Sequence, residues 1–176
     1  MGPGSQRSVE ETFSRLFDEY EPALRRLTRG YAARSEDRDD LFQEIAAGLW
    51  GAIPGFRGES SERTWIYRIA HNTALTWKGK KTRRGVHEAD DELETRADAG
   101  PHPEQRVLEA ERRGRLASLI RTLPSMDRQL VLLYLEDLSG AEIAEVSGLS
   151  ETAVATRLSG VRTRLAERIQ HGEVAR

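Results

Sequence analysis

Residues Phe56 to Arg84 read FRGESSERTWIYRIAHNTALTWKGKKTRR. A short polar loop, Phe56–Ser61, leads into a segment of helical period. That period places Trp65, Ile66, Ile69, Ala70 and Thr73 on one face. A basic cluster follows: Lys78, Lys80, Lys81, Arg83 and Arg84. The stretch holds eight basic and two acidic residues, a net of +6, in a chain whose formal net charge is −2. Positive charge is therefore concentrated here. Such a segment suits single-stranded or partly opened DNA. Lys and Arg attract phosphates in a salt-dependent way that is blind to sequence. Unstacked bases need aromatic faces and small hydrogen-bonding groups, and Phe56, Trp65, Ser60, Ser61, Thr64 and Asn72 are of those types. The same residues also fit an ordinary amphipathic helix with a solvated basic end, and their chemistry alone leaves both readings open.

Outward from this stretch, the 176 residues allow one medium domain or two small ones. Aromatic residues are sparse, charge is dense, and Ala, Leu, Glu and Arg dominate. That composition predicts an all-α protein with a small aliphatic core. Cysteine is absent, which excludes disulfides, thiol sensing and Cys-based zinc sites. No apolar run approaches a membrane span and no secretory signal is visible, so a cytoplasmic protein is expected, without membrane insertion. Met1–Ser5 reads as a cloning remnant and is left out of the fold.

On the N-terminal side, Phe13, Leu16, Phe17, Tyr20, Leu24, Leu27 and Tyr31 form one helical face, which Pro22 is expected to kink or split. The acidic run Ser35–Asp40 marks the start of a second helix. Its stripe is Leu41, Ile45, Leu49 and Ile53, with Phe42 and Trp50 alongside. Asp40, Gln43 and Glu44 lie on its polar face.

On the C-terminal side the character inverts. Val86–Gln105 carries seven acidic residues and one basic, with Gly100, Pro101 and Pro103, and predicts a disordered acidic linker. His87–Glu92 is too thin a ligand set for a metal site. No cofactor or metal is expected. A linker of this length reaches roughly 60 Å extended and averages about 25 Å as a coil, against roughly 70 Å for two turns of B-DNA. Periodicity resumes with Val107, Leu108, Leu116, Leu119, Ile120 and Leu123. Pro124 breaks it, and Leu130, Val131, Tyr134 and Leu135 form a further short stripe.

Leu138–Ser150 then has a helix-turn-helix pattern. Ala144 is small at a helix crossing, Gly148 suits a left-handed turn, and Ser150 suits an N-cap. Val154, Leu158, Val161, Leu165 and Ile169 are the buried stripe of the second helix, whose start belongs in a major groove. Glu151, Thr152, Ala155, Thr156 and Arg157 would face base edges or phosphates there. A helical hairpin used for protein contact is the alternative.

The wording of three segments resembles the extracytoplasmic-function (ECF) group of bacterial RNA polymerase sigma factors. Phe56-Arg57-Gly58-Glu59-Ser60 and Thr64-Trp65-Ile66-Tyr67-Arg68-Ile69-Ala70-His71-Asn72 match that group's F-R-G-x-S and T-W-L-Y-R-I-A-x-N of region two. Asp40-Leu41-Phe42-Gln43-Glu44-Ile45, ending in Leu49-Trp50, is similar to its D-L-x-Q-E-x-F…L-W. Leu123-Pro124, Arg128 and Glu142-Ile143-Ala144 resemble region four.

The resemblance implies two small helical domains, residues 6–85 and 105–176, joined by an acidic linker at 86–104. It implies a sigma factor that directs core RNA polymerase to promoters and assists their opening, with no catalytic residues of its own. Asp40, Gln43, Glu44, Leu49 and Trp50 would dock on the clamp of the polymerase largest subunit. Opened minus-10 DNA, with one base flipped, would fall to Phe56, Arg57, Gly58, Ser60, Ser61, Arg63, Thr64, Trp65, Arg68, Asn72, Lys78, Lys80, Lys81, Arg83 and Arg84. Duplex minus-35 DNA would fall to Ser150, Glu151, Thr152, Ala155, Thr156, Arg157 and Arg162. An anti-sigma partner is also implied.

The chain departs from the family in several places. Thr76 stands where an Asp is common, and a single Trp65 replaces the two wedge tryptophans of housekeeping relatives, which implies less robust melting and more stringent promoter choice. Ala153, Ala155 and Gly160 replace Thr, Lys and Arg, which weakens the expected phosphate contacts. Two other classes stay in view. An autonomous helix-turn-helix regulator would not need Phe56–Asn72. A hydrolase using His71, His87 or His102 finds no paired-carboxylate or nucleophile–base spacing.

Overall fold

A computed structural model describes residues 3–84 and 103–170, with side chains for 8–84 and 108–169. The acidic segment, with His87 and His102, lies outside the described residues. The described chain is helical throughout: α1 (Pro3–Tyr31), α2 (Ser35–Ala52), α3 (Glu62–Arg83), α4 (Pro103–Arg121), α5 (Ser125–Leu135), α6 (Gly140–Ser147) and α7 (Glu151–Gln170), with one 3-10 turn at Ile53–Gly55.

The first three helices pack together, α2 on both α1 and α3 and α1 also on α3. Their stripes meet as the i, i+4 spacing requires. Leu24 and Leu27 of α1, Leu41 and Ile45 of α2, and Ile66, Ala70 and Ala74 of α3 are all essentially inaccessible. Contrary to the expectation of a break, α1 runs unbroken through Pro22. Pro22 is exposed, as is Asp18 one turn earlier, so the carbonyl that loses its partner sits on the wet side of the helix. Arg38 reaches back to the carbonyls of Ala32 (3.1 Å) and Ala33, satisfying the open end of α1. Ser61 caps α3 by accepting from the Thr64 N–H at 3.1 Å.

The last four helices are built around α5. Every residue from Asp127 to Leu133 is buried. A helix buried all round must be central, and α5 touches α1, α3, α4, α6 and α7. The expected stripe is corrected here: Leu130 and Val131 are buried, but Tyr134 and Leu135 are about half exposed, and Leu132 and Leu133 are buried in their place. Arg128 donates to the carbonyls of Ile120 (3.3 Å) and Leu123 (2.9 Å), which gives the Arg of the L-P-x-x-x-R pattern its physical task of closing α4. Ser139 and Glu142 make a reciprocal capping box at the start of α6. Gly148 ends α6 at φ +74°, as its position in the motif predicts, and Ser150 accepts from the Ala153 N–H at 3.2 Å. Val154 and Val161 seal α7 against the rest of the unit, while Ile169, the end of the predicted stripe, is exposed.

The two halves pack on each other. α6 lies against α3, and α4 and α5 lie against the end of α1. At Gly30 the approach is so close that a Cβ would fall 2.5 Å from a methyl of Leu132. One continuous apolar cluster therefore runs through both halves.

Candidate nucleic-acid interface

The loop before α3 turns at Gly58, where φ is +72°. That turn leaves Arg57, Gly58 and Ser61 exposed and Ser60 half-buried. Phe56 leans on Trp65, ring centroids 4.7 Å apart and 43° between planes. Both rings are half-buried, so this is a supported aromatic surface with a polar rim. Thr64 differs from its neighbours. It is buried, and its hydroxyl accepts from Ser61 Oγ at 2.8 Å, so its side chain serves the helix cap.

Farther along α3, Asn72, Lys80, Arg83 and Arg84 are exposed. Lys78 is half-buried. Lys81 is ion-paired with the buried Asp37 of α2 and lies 4.8 Å from the centre of the Trp77 ring. Trp77 itself is core. The basic end is thus oriented by Asp37 and Trp77, although Thr76, at the position of the missing carboxylate, is exposed.

His71 is the centre of the core, not part of any surface. It is fully buried, and Tyr31 Oη lies 2.9 Å from its Nδ1. Burial holds its pKa down to about 3, and burial also pushes the Tyr31 hydroxyl up.

On α2, Asp40, Gln43 and Glu44 are exposed and make no ion pair with any described residue. Trp50 is 40% exposed and meets Phe13 edge to face at 5.2 Å. Leu49 was expected beside them, but it is 5% exposed and faces inward. The i, i+4 rule had already put it on the Leu41–Ile45 stripe.

On α7, Ser150, Glu151, Thr152, Ala155, Thr156, Arg157 and Arg162 are all exposed. Arg157 and Arg164 both bind Asp127, at 3.0 and 2.7 Å. Asp127 sits buried in the first turn of α5, where a carboxylate also meets the positive helix end. It fixes α7 across α5.

Three comparisons bear on what this arrangement is. Sigma-70 region 2 matches residues 16–84. Sigma-70, region 4 matches residues 113–165. The ECF RNA polymerase sigma-E factor of Haemophilus influenzae is 31% identical over 175 residues, covering 94% of this chain and 91% of that protein. The chain is an ECF RNA polymerase sigma factor. Its all-helical fold is shared with two solved relatives. The sigma factor RpoE of Bartonella quintana, solved with the anti-sigma factor NepR, superposes with a TM-score of 0.71 at 20% identity, over 91% of this chain and 98% of that one. CnrH, solved with the cytosolic domain of CnrY, gives 0.66 at 22% identity, over 92% and 90%. As a sigma factor, the protein directs RNA polymerase to promoters. No described helix is long and apolar enough to cross a membrane.

Two residues of this sigma factor that sequence reasoning passed over bear directly on the interface. Glu136, at the end of α5, takes both guanidinium arms of Arg26 at 2.8 and 2.6 Å and the hydroxyl of Tyr67 at 3.2 Å, and its carbonyl accepts from Arg63. Glu145 of α6 takes Arg68 at 2.9 Å. Nothing local marks either residue, because each partner lies 69 or more positions away along the chain.

Proposed function

We propose that this sigma factor divides its work among three faces. The exposed side of α2, with Asp40, Gln43, Glu44 and Trp50, docks on the clamp of the polymerase largest subunit. The loop Phe56–Ser61 and α3 hold opened minus-10 DNA, with a flipped base against Phe56 and Trp65. The start of α7 takes the minus-35 duplex. Residues 6–85 and 105–176 divide these faces between them, in the cytoplasm, and RNA synthesis is left to the core enzyme. An anti-sigma partner holds the protein in reserve; that RpoE of Bartonella quintana was solved with the anti-sigma factor NepR supports it.

One observation carries the reading. Asp40, Gln43 and Glu44 project from α2 into solvent with no ion-pair partner among the described residues, while the opposite side of the same helix is sealed in the core. Exposed polar groups beside a half-exposed tryptophan are what a protein-docking face needs. The test is co-elution of the purified protein with core RNA polymerase on a sizing column. Replacing Asp40, Gln43 and Glu44 with alanine should abolish co-elution and run-off transcription while the helical circular-dichroism signal is unchanged. Undiminished co-elution of the folded triple variant would remove α2 as the docking face.

The single wedge Trp65 is supported by Phe56 alone among the described aromatics of this loop. Permanganate reactivity should therefore fall steeply from near-consensus to mismatched minus-10 elements, and equal opening on both would count against a stringent wedge.

A further inference from the structure

The second half of α3 sorts its residues by helical period. Ala70, Ala74, Trp77 and Lys81 follow one another at steps of four, three and four residues and form an inward row. The first three are buried, and the Lys81 side chain is 21% exposed. Asn72, Thr76, Lys80 and Arg83 form a second row at steps of four, four and three, and all four are exposed. Two neighbouring cations, Lys80 and Lys81, thus end on different sides of the helix.

Lys81 is held where it is. Its ammonium pairs with Asp37 of α2 and lies 4.8 Å from the centre of the Trp77 ring. The Asp37 side chain is 11% exposed, and its second oxygen is enclosed without a hydrogen-bond partner. If Lys81 swung out to a phosphate, it would leave a buried carboxylate uncompensated, and a contact in water returns less than that costs. Lys80 differs. It is exposed and makes no ion pair with any described residue, and Thr76, one turn before it, carries no charge. A carboxylate at position 76 would stand at i, i+4 spacing from Lys80 and draw it away from solvent.

We infer that Asp37 is a positioning residue for the minus-10 surface. Through Lys81 it fixes the end of α3 so that Asn72, Thr76, Lys80 and Arg83 face outward as one row, along which a DNA strand lies. Lys81 is a strut and makes no phosphate contact. The carboxylate that orients this end comes from α2, and a neutral position 76 leaves Lys80 to the phosphate. The row's use rests on the reading of α3 as the minus-10 surface made above; the strut does not.

Hydrogen exchange of the full-length protein tests the strut without DNA. Asp37→Asn should speed exchange of the amides at 78–84 and leave those of α5 unchanged; unchanged rates at 78–84 overturn the positioning role. Fluorescence anisotropy of a labelled oligothymidine strand, over a series of salt concentrations, tests the row. Lys80→Gln and Arg83→Gln should each lower the slope of log K against log salt by about 0.7, one single-strand phosphate. Asp37→Asn with Lys81→Gln removes one charge of each sign and keeps a neutral hydrogen-bonding pair, so the slope should stay; a fall of about 0.7 would make Lys81 a phosphate contact and overturn the inference. Asp37→Asn alone makes the protein more positive, yet should weaken binding about two- to tenfold, because a loosened helix end must be ordered on binding. Equal or tighter binding overturns the positioning role. Thr76→Asp should lower the slope by about 0.7, and an unchanged slope overturns the part given to position 76. Unchanged slopes in both Lys80→Gln and Arg83→Gln would remove α3 as the DNA surface, while the strut would stand on the exchange data.

Discussion

Lowering the pH from 7.5 to 5 is expected to cost this sigma factor about 2 kcal/mol of stability through one side chain, His71. The imidazole is fully buried, its Nε2 has no hydrogen-bond partner, and its folded pKa is about 3 against an ordinary 6.5. The sign follows from which state takes the proton. Below pH 6.5 the unfolded chain protonates His71 and the folded chain does not, so stability falls with falling pH and continues to fall until about pH 3. One pKa unit corresponds to about 1.4 kcal/mol, and pH 5 lies about one and a half units below the unfolded value, which gives the figure above. Glu62 and Glu142, held below the ordinary carboxylate value chiefly by their hydrogen bonds to Arg15 and Ser139, contribute only at lower pH. The assay is urea unfolding at pH 7.5, 6.5, 5.8 and 5 for the wild type and for His71→Gln, which keeps an acceptor for Tyr31 and cannot titrate. The wild type should lose about 2 kcal/mol more than the variant over this range. Equal losses would refute the claim that a neutral, inaccessible imidazole sits at this position.

Asp127→Ala should lower stability by about 1–2 kcal/mol, because two charge-assisted bonds to half-exposed arginines are lost; a urea midpoint that does not move would show that α7 is held by its apolar stripe alone. Gly160→Ala should raise stability by about 1 kcal/mol, since a Cβ there meets nothing within 4 Å in the exposed middle of α7. The thermal midpoint should rise; a fall would mean the glycine serves a contact. Gly148→Ala should cost about 1–2 kcal/mol with no clash at all, because φ +74° strains any residue with a Cβ; a neutral result would show that the α6–α7 turn relaxes.

The elements that a local pattern determines were legible. The α2 stripe, the Gly148 turn and the Ser150 cap depend on residues within a few positions of one another, and each is found where its spacing places it. The split allowed for at Pro22 does not occur, because the rule against proline inside a helix assumes that the lost bond matters, and on an exposed face it matters least. Tyr134 and Leu135 were misjudged for a different reason. A periodic stripe assumes one buried side, and α5 is packed from several. Asp127 was legible as an acidic helix start, but its two arginines on α7 were not, since ion pairs 30 and 37 residues apart leave no local trace. Thr64 and Leu49 were placed among the surface residues by position in a family pattern, although local reasoning about caps and stripes points both of them inward.

The arginines of α3 show where the limit lies. A guanidinium recognises a carboxylate and a phosphate by the same planar fork, so the sequence of α3 is equally consistent with a helix that binds DNA and with one that binds the other half of its own chain. Only the placement of the Glu136 carbonyl, which takes Arg63, and of the Glu145 carboxylate, which takes Arg68, separates the two uses. The pairs are unequal. Arg68 and Glu145 are 38% and 45% exposed, and such a pair is worth little and is weakened by salt. Glu136 is shielded and bound by several groups at once, so removing it leaves the Tyr67 hydroxyl without its partner in a buried setting. The contact between the two halves therefore rests mainly on Glu136, although its Arg26 partner is 55% exposed and that arm is open to screening by salt.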